Sequence, residues 1–182
     1  MTPRRLLIVL IAALALAAAP AALAVQKFLI GNSDGAPTTN VCVANIKCTY
    51  LNTKNGKPVD VVPATGTLTS WKVRAGSVSG KVRLRVLRPQ GDGTYLFAAS
   101  SETHTIRKID PEVNKFSSKL PVQAGDVLAL TNTTSGIYFR AASAGRGVAY
   151  FNFDQDQSDG AIGAPSQSAG VHLLLSATVT AP

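Results

Sequence analysis

The stretch from Gly66 to Pro89 has the clearest alternation of apolar and polar positions in the chain. Its first half reads GTLTSWKVR and its second half KVRLRVLRP, and both place basic side chains on one face and apolar ones on the other. Because side chains on a strand point to opposite faces with a period of two, each half predicts a β-strand with one buried face. The link from Ala75 to Gly80 contains the glycines that a tight turn needs. The pattern therefore predicts a central β-hairpin with an apolar inner face and a basic outer face.

Short β-prone runs separated by glycine and proline turns continue along the rest of the chain, and none keeps a helical period over three turns. The runs are Gln26 to Ile30, Val41 to Ala44, Ile46 to Leu51, Val59 to Val62, Thr94 to Ala99, Thr103 to Ile109, Val113 to Leu120, Val127 to Thr131, Ile137 to Arg140, Val148 to Phe153 and Val171 to Val179. Many short strands with frequent turns predict an all-β fold, a single antiparallel β-sandwich domain that spans residues 25–182.

The first 24 residues form a segment of their own. Arg4 and Arg5 precede a short apolar run, and a small-residue cleavage site ends at Ala24. This order predicts a secretory signal peptide over residues 1–24. The apolar run is alanine-rich and short, which disfavours the alternative of an uncleaved anchor. We therefore expect a secreted protein with no membrane span in its mature form.

The charge balance and the cysteines bear on the partners of an exported chain. The formal net charge is +8, which suits anionic wall polymers, acidic polysaccharide, lipid headgroups or nucleic acid, and charge that serves solubility alone is the open alternative.

Cys42 and Cys48 are the two cysteines of the sequence. In an oxidising compartment such a pair predicts one disulfide, and two buried thiols are the alternative.

Four segments form a recognisable set: TGTLTSWKVR, KVRLRVLRP, LPVQAGDVLALTN and LLLSATV, which together extend from Thr65 to Val179. With them the chain resembles secreted bacterial β-sandwich proteins of unknown function, whose architecture looks like the jelly roll of galactose-binding-like domains. The resemblance implies a jelly-roll-like sandwich and export. Domains of that kind often bind carbohydrate from their rim loops or serve as accessory modules. No ligand residue is carried over, since one fold hosts many functions.

Two arrangements are weighed for nucleophilic catalysis. Gly31 to Gly35 fits the G-x-S-x-G pattern, but no helix-forming sequence follows Ser33, so we interpret the motif as a turn. His104 lies two residues from Glu102 on the same strand face, and a carboxylate there is able to orient an imidazole. His172 begins the last strand. We interpret both histidines as ordinary surface or half-buried residues.

Glycoside hydrolysis and RNA binding receive less support. Hydrolysis needs two carboxylates that flank the bond, whereas most acids here stand beside a glycine, where turns favour Asp, and nothing pairs Glu102 with Glu112. The run from Arg146 to Phe153 is similar to an RNA-recognition motif, but Val148 replaces an aromatic residue. We interpret that run as core and predict neither catalysis nor a nucleic-acid partner.

Two sets of residues are candidates for binding. If the hairpin forms, one basic face holds Lys72, Arg74, Arg83 and Arg85, with no acid between Thr65 and Gly91. Such a face predicts a site for phosphate or carboxylate groups, and a solvated sheet face is the alternative. The loop DQDQSDG offers alternating carboxylates to a structural calcium ion through Asp154, Asp156 and Asp159. A solvated polar loop is the alternative that we favour there, and no other cofactor is expected.

Together these observations predict a secreted non-catalytic binding module for an extracellular polymer, either carbohydrate or anionic cell-wall material. The alternatives are a structural surface or coat protein that acts through protein–protein contacts, and a hydrolase. The sequence chooses neither a ligand nor an oligomeric state.

Overall fold

The computed structural model describes residues 24–38, 47–75, 80–106, 113–132, 139–153 and 157–182, and these form fifteen β-strands. In chain order the strands are β1 Gln26–Asn32, β2 Lys47–Lys54, β3 Lys57–Pro58, β4 Gly66–Arg74, β5 Gly80–Pro89, β6 Tyr95–Ser100, β7 His104–Ile106, β8 Val113–Val122, β9 Val127–Asn132, β10 Phe139–Ala141, β11 Arg146–Phe153, β12 Ile162–Gly163, β13 Gln167–Ala169, β14 Val171–Leu173 and β15 Leu175–Ala181. Within those ranges no helix is long and apolar enough to cross a membrane.

The strands form a sandwich of two main sheets. One sheet has the order β1-β15-β4-β8, and the other, which curls into a half-barrel, has the order β12-β6-β5-β9-β2-β11-β13. The pairs are antiparallel, and a separate two-stranded sheet joins β10 to β14. The orders β1-β15-β4-β8 and β2-β9-β5-β6 are those of a jelly roll, to which β11 and β13 add an extension beside β2. The predicted all-β antiparallel sandwich is confirmed, and these strand orders agree with the jelly-roll-like architecture that the resemblance implies.

The predicted central hairpin is wrong. β4 lies between β15 and β8 in the four-stranded sheet, whereas β5 lies between β9 and β6 in the curled sheet. Both edges of each strand are therefore occupied by other partners, and the two strands do not pair with each other. The alternation identified two strands that each bury one face. Such faces pack across a sandwich as well as side by side, so the pattern alone does not choose between the two arrangements.

The core between the two main sheets contains the apolar positions of both strands. Its members include Trp71 and Val73 of β4 and Leu84 of β5, all fully buried. Leu68 is also buried, on the side that simple alternation with Trp71 assigns to solvent. A register shift between Leu68 and Ser70 in the β4–β8 pair reverses the alternation there, as a β-bulge does.

A second apolar cluster lies on the opposite face of the curled sheet. It contains Leu51, Leu87, Phe97, Val127, Ala129 and Phe151. The described residues before β12 run along the edge of β6, where the Phe97 N–H donates to the Ala161 carbonyl and the Gly160 N–H to the Phe97 carbonyl, both at 2.9 Å, and Ala161 packs against this cluster. The face of β5 that was predicted to be basic and solvated is therefore partly interior.

Two predictions about the N-terminal part fall outside the described residues. The signal peptide covers residues 1–24, of which only Ala24 is described. Cys42 lies in the gap between residues 38 and 47, whereas Cys48 is buried in β2. The signal peptide and the Cys42–Cys48 disulfide both stay predictions.

Candidate functional site

The four basic residues of the predicted binding face do not share a face. Lys72 and Arg74 lie on β4 in one sheet, whereas Arg83 and Arg85 lie on β5 in the other. Arg83 is half-buried and donates from Nε and Nη2 to the hydroxyl of Thr103, at 3.3 and 3.0 Å. The four cations would have formed one cluster only if β4 and β5 paired as a hairpin. Because the two strands lie in different sheets, this cluster does not form.

Arg85 is fully buried and anchors the segment that leads into β12 to the curled sheet. Its Nε donates to the Thr131 hydroxyl at 3.0 Å, and its Nη1 donates to the Ser100 hydroxyl and to Asp159 Oδ1, the latter at 3.2 Å. Its Nη2 donates to the carbonyl of Gln157. A guanidinium with this many partners is a structural element, and it is not exposed to a ligand.

The predicted calcium loop is only partly described. Asp154 and Asp156 lie outside the described residues, and Asp159 Oδ1 accepts hydrogen bonds from Arg85 and Ser100. A carboxylate that is already neutralised by arginine is a poorer ligand for a hard cation. The described residues contain no group of three or more metal-ligating side chains. The calcium site stays a prediction.

The G-x-S-x-G motif forms a turn, as interpreted from the sequence. Ser33 follows the end of β1 and is buried, and its hydroxyl lies 3.1 Å from that of Ser176. The Asp34 N–H donates to Asn32 Oδ1 at 2.6 Å, which closes an Asx turn. A buried serine that is bonded to another serine lacks the exposed strand-to-helix geometry of a nucleophile elbow.

A cleft of about 380 Å³, here called the serine cleft, opens between the edge strand β8 and the β6–β7 connection. It is lined by Ser100, Ser101, Glu102, His104, Ser117, Ser118, Lys119 and Leu120. The half-buried His104 ring stacks on Phe116 at 4.3 Å and meets the edge of Trp71 at 5.6 Å.

Among the described residues, the hydroxyls of Ser100 and Ser101 in the serine cleft are bonded to groups other than His104. The Ser101 hydroxyl donates to the Glu102 carbonyl and accepts from the Leu84 N–H, while that of Ser100 bonds to Asp159. Within the described ranges no hydrogen bond joins His104 to Glu102 or to a serine, although nucleophilic catalysis requires such a pair. The described contacts of the His104 ring are with the aromatic rings of Phe116 and Trp71.

The other acids and aromatics that were weighed have structural partners. Asp126 is buried and accepts from Arg88 Nε at 2.8 Å and Nη2 at 3.1 Å, so it does more than form the turn predicted for it. In the run that is similar to an RNA-recognition motif, Tyr150 belongs to the core between the sheets and Phe151 to the second cluster. The core interpretation of that run is confirmed.

A second concavity of about 380 Å³, here called the arginine pocket, lies where four separate parts of the chain meet. It is lined by Asn32, Arg140, Ala141, Ala142, Ser143, Arg146 and His172. Arg140 of β10 stands opposite His172 of β14 in the antiparallel register, so their side chains leave the small sheet on the same face. The turn before β11, closed by an Arg146 N–H to Ser143 carbonyl bond of 3.0 Å, adds Arg146.

Two glycines make this arrangement possible. Gly145 has φ +74°, a left-handed conformation that the turn requires, and a Cβ there would lie 2.5 Å from Asn55 Oδ1. Gly35 has φ +110° and lets the side chain of Arg140 lie against the backbone, because a Cβ would come within 3.3 Å of Arg140 Cδ. Both positions are strained for any other residue.

The charge in the arginine pocket is positive throughout. No lining residue is acidic, and neither Arg140 nor Arg146 forms a salt bridge within the described part of the chain. A nearby acid, Asp60, is buried and accepts a hydrogen bond from Asn52 at 2.7 Å. Burial raises the pKa of the Asp60 carboxyl, and the bond from Asn52 and the charge of Arg146 oppose the rise. The two guanidinium groups therefore remain available to an external oxyanion.

His172 lies at the pocket and is only 3% exposed, so its interpretation as a surface or half-buried residue is wrong. Burial, together with the charges of Arg140 and Arg146, lowers the pKa of its imidazole to about 4. The ring is therefore neutral at pH 7. Neither ring nitrogen has a hydrogen-bond partner among the described residues.

Sequence reasoning missed this site because its residues are far apart in the chain. Asn32, Arg140, Arg146 and His172 come together only through the β10–β14 register and the end of β1. One local signal was available: two arginines flank a turn of alanine, serine and glycine, with no acid between residues 139 and 153.

The chemistry of the lining suits an oxyanion at the guanidinium groups of Arg140 and Arg146 and a further polar group at His172. The fold of the protein is a jelly-roll-like sandwich. Proteins with such a fold have many different functions, so the fold does not identify the function of this chain. Comparison of the chain with known protein families, with curated proteins and with solved structures returned no match.

Proposed function

We propose that this protein is a secreted, non-catalytic binding module that takes anionic groups of an extracellular polymer into the arginine pocket. One observation carries the proposal: Arg140 and Arg146 line the same pocket, and no acid lines it with them. Secretion rests on the predicted signal peptide. This pocket replaces the four-cation face, which the strand arrangement divides.

The physical basis is the chemistry of the guanidinium group. Each arginine presents a planar fork of donors that matches a carboxylate or a phosphate, and charge-assisted bonds of this kind are stronger than neutral ones. Arg146 is exposed and Arg140 half-buried, so solvent screens each ion pair and the affinity of one pocket for one anion is modest. A polymer offers many equivalent anions, so a pocket that releases one anion has others close by to bind.

The test compares two double variants of the mature protein. Arg140→Gln/Arg146→Gln removes both charges of the arginine pocket, and Lys81→Gln/Arg83→Gln removes two charges from β5 as a matched control. Retention is measured on polygalacturonate, poly(glycerol phosphate) and neutral dextran over about 50 to 200 mM salt. We expect the pocket variant to bind the anionic polymers about tenfold more weakly, whereas the control stays within about twofold of the wild type.

Other outcomes identify other functions. Equal retention of the pocket variant and the wild type on the anionic polymers contradicts the proposal. Preferential binding to dextran favours a neutral carbohydrate, and a concentration-dependent oligomer that needs no polymer favours a coat protein. Product release that is abolished by Glu102→Ala or His104→Ala favours a hydrolase at the serine cleft.

A further inference from the structure

The arginine pocket contains a polar group that binding of a simple anion does not use. His172 lines the pocket, yet its ring is almost completely buried and both ring nitrogens lack a partner among the described residues. A buried polar atom that gives up its hydrogen bond to water and gains none costs free energy. Buried polar groups are therefore almost always paired, and an exception that lines a pocket points to a ligand.

The protonation state of His172 determines what this ligand has to offer. With the pKa of the imidazole near 4, the ring at neutral pH carries one N–H donor and one acceptor nitrogen. Acetate, sulfate and fully ionised phosphate have only acceptor atoms. They satisfy the N–H and leave the other nitrogen unpaired. A hydroxyl group donates one bond and accepts another, so it is able to pair with either nitrogen.

Two more polar groups at the rim suit a ligand that is larger than a bare anion. Asn32 Oδ1 already accepts from the Asp34 N–H, and its amide nitrogen has no partner in the described part of the chain. The Ser143 side chain is exposed at the turn that carries Arg146. One amide and one hydroxyl therefore line the pocket with the two guanidinium groups, in a volume of about 380 Å³ that exceeds the space one carboxylate needs.

We infer that the arginine pocket selects a hydroxylated anion, a carboxylate or phosphate ester whose neighbouring hydroxyl group pairs with His172. This inference rests on the proposed function and specifies its ligand. Arg140 and Arg146 bind the anion, and His172 distinguishes a hydroxylated ligand from a plain one. A site that is built to hydrogen-bond a hydroxyl discriminates against the analogue without it, because the buried partner is then left unpaired.

The experiment measures the affinity of the mature protein for two pairs of small ligands by NMR titration. Glucuronate is compared with propionate, and glycerol 3-phosphate with methyl phosphate at about pH 8, where both phosphate esters are dianions, so that the two pairs separate a carboxylate source from a phosphate source. We expect the wild type to prefer the hydroxylated member of at least one pair by about tenfold. His172→Phe should abolish that preference, and His172→Gln, which retains a donor and an acceptor, should restore part of it.

The outcomes separate this inference from the proposed function. If the wild type shows no preference, or if His172→Phe keeps the wild-type preference, the inference is overturned. The proposed function then still stands, provided that Arg140→Gln/Arg146→Gln weakens both members of a pair. If the arginine variant binds every ligand as the wild type does, the proposed function fails with it. If His172→Phe does not fold, the ring signals of His172 in the wild-type titration decide: they should shift with the hydroxylated member of a pair, and no shift of those signals overturns the inference.

Discussion

Replacing Arg85 with alanine should lower the free energy of unfolding by about 3 kcal/mol. The side chain is completely buried, and it donates hydrogen bonds to Thr131, Ser100, Asp159 and the carbonyl of Gln157. Alanine removes these bonds, leaves a cavity, and releases the segment that leads into β12 from the curled sheet. Urea unfolding followed by tryptophan fluorescence, through the buried Trp71, measures the change.

The stability of Arg85→Ala is compared with the stabilities of two control variants. Arg85→Met loses the same hydrogen bonds but keeps much of the side-chain volume, so it should cost less than alanine because it leaves a smaller cavity. Arg83→Ala, two residues along the same strand, removes a half-buried side chain that donates to Thr103 and should cost less than about 1 kcal/mol. Equal stabilities of the Arg85→Ala and Arg83→Ala proteins would show that Arg85 does not anchor the segment that leads into β12.

The second large effect is a loss of stability in acid that arises from His172. Its pKa is about 4 in the folded protein and close to 6.5 when unfolded, so the unfolded chain takes up the proton first. The stability that depends on the neutral ring of His172 is fully present above pH 6.5. The free energy of unfolding then decreases as the pH falls towards 4. Because each unit of pKa difference corresponds to about 1.4 kcal/mol, the loss should reach about 3 kcal/mol.

Asp60 acts in the opposite direction, and the measurement has to separate the two groups. Burial raises the pKa of the Asp60 carboxyl in the folded protein above its value in the unfolded chain. The folded protein therefore takes up this proton first, and the free energy of unfolding increases as the pH falls from the folded pKa towards the unfolded one. The free energy of unfolding is therefore measured between about pH 7 and pH 4 for the wild type, His172→Gln and Asp60→Asn. The acid loss should disappear in His172→Gln and become steeper in Asp60→Asn. An unchanged pH profile in His172→Gln would contradict the assignment.

The elements of the fold could be predicted from the sequence, and their pairing could not. Alternating side chains and turn residues identified β4, β5, β9 and most other strands, because a strand with one buried face must alternate. The partner of a strand is set by long-range pairing instead. β4 pairs with β15 and β5 with β9, so neighbours in the sequence lie in opposite sheets.

The same reason explains why the basic residues of β5 were misread. Alternation placed Arg85 and Leu87 on the outer face correctly, but it did not show that the chain before β12 packs against that face. The arginine pocket was missed in a similar way. Arg140 meets His172 across a register that joins residues more than 30 positions apart, and no local pattern records that pairing.

The central claim is that anionic polymer binds at Arg140 and Arg146, and the most direct measurement observes those side chains. In a ¹⁵N-labelled mature protein, each arginine Nε–H gives an NMR signal that single Arg→Lys variants assign. During titration with polygalacturonate we expect the signals of Arg140 and Arg146 to shift in a saturable, salt-sensitive manner, while those of Arg83 and Arg88 stay in place. Shifts at Arg74 and Arg83 with none at Arg140 and Arg146 would contradict the claim.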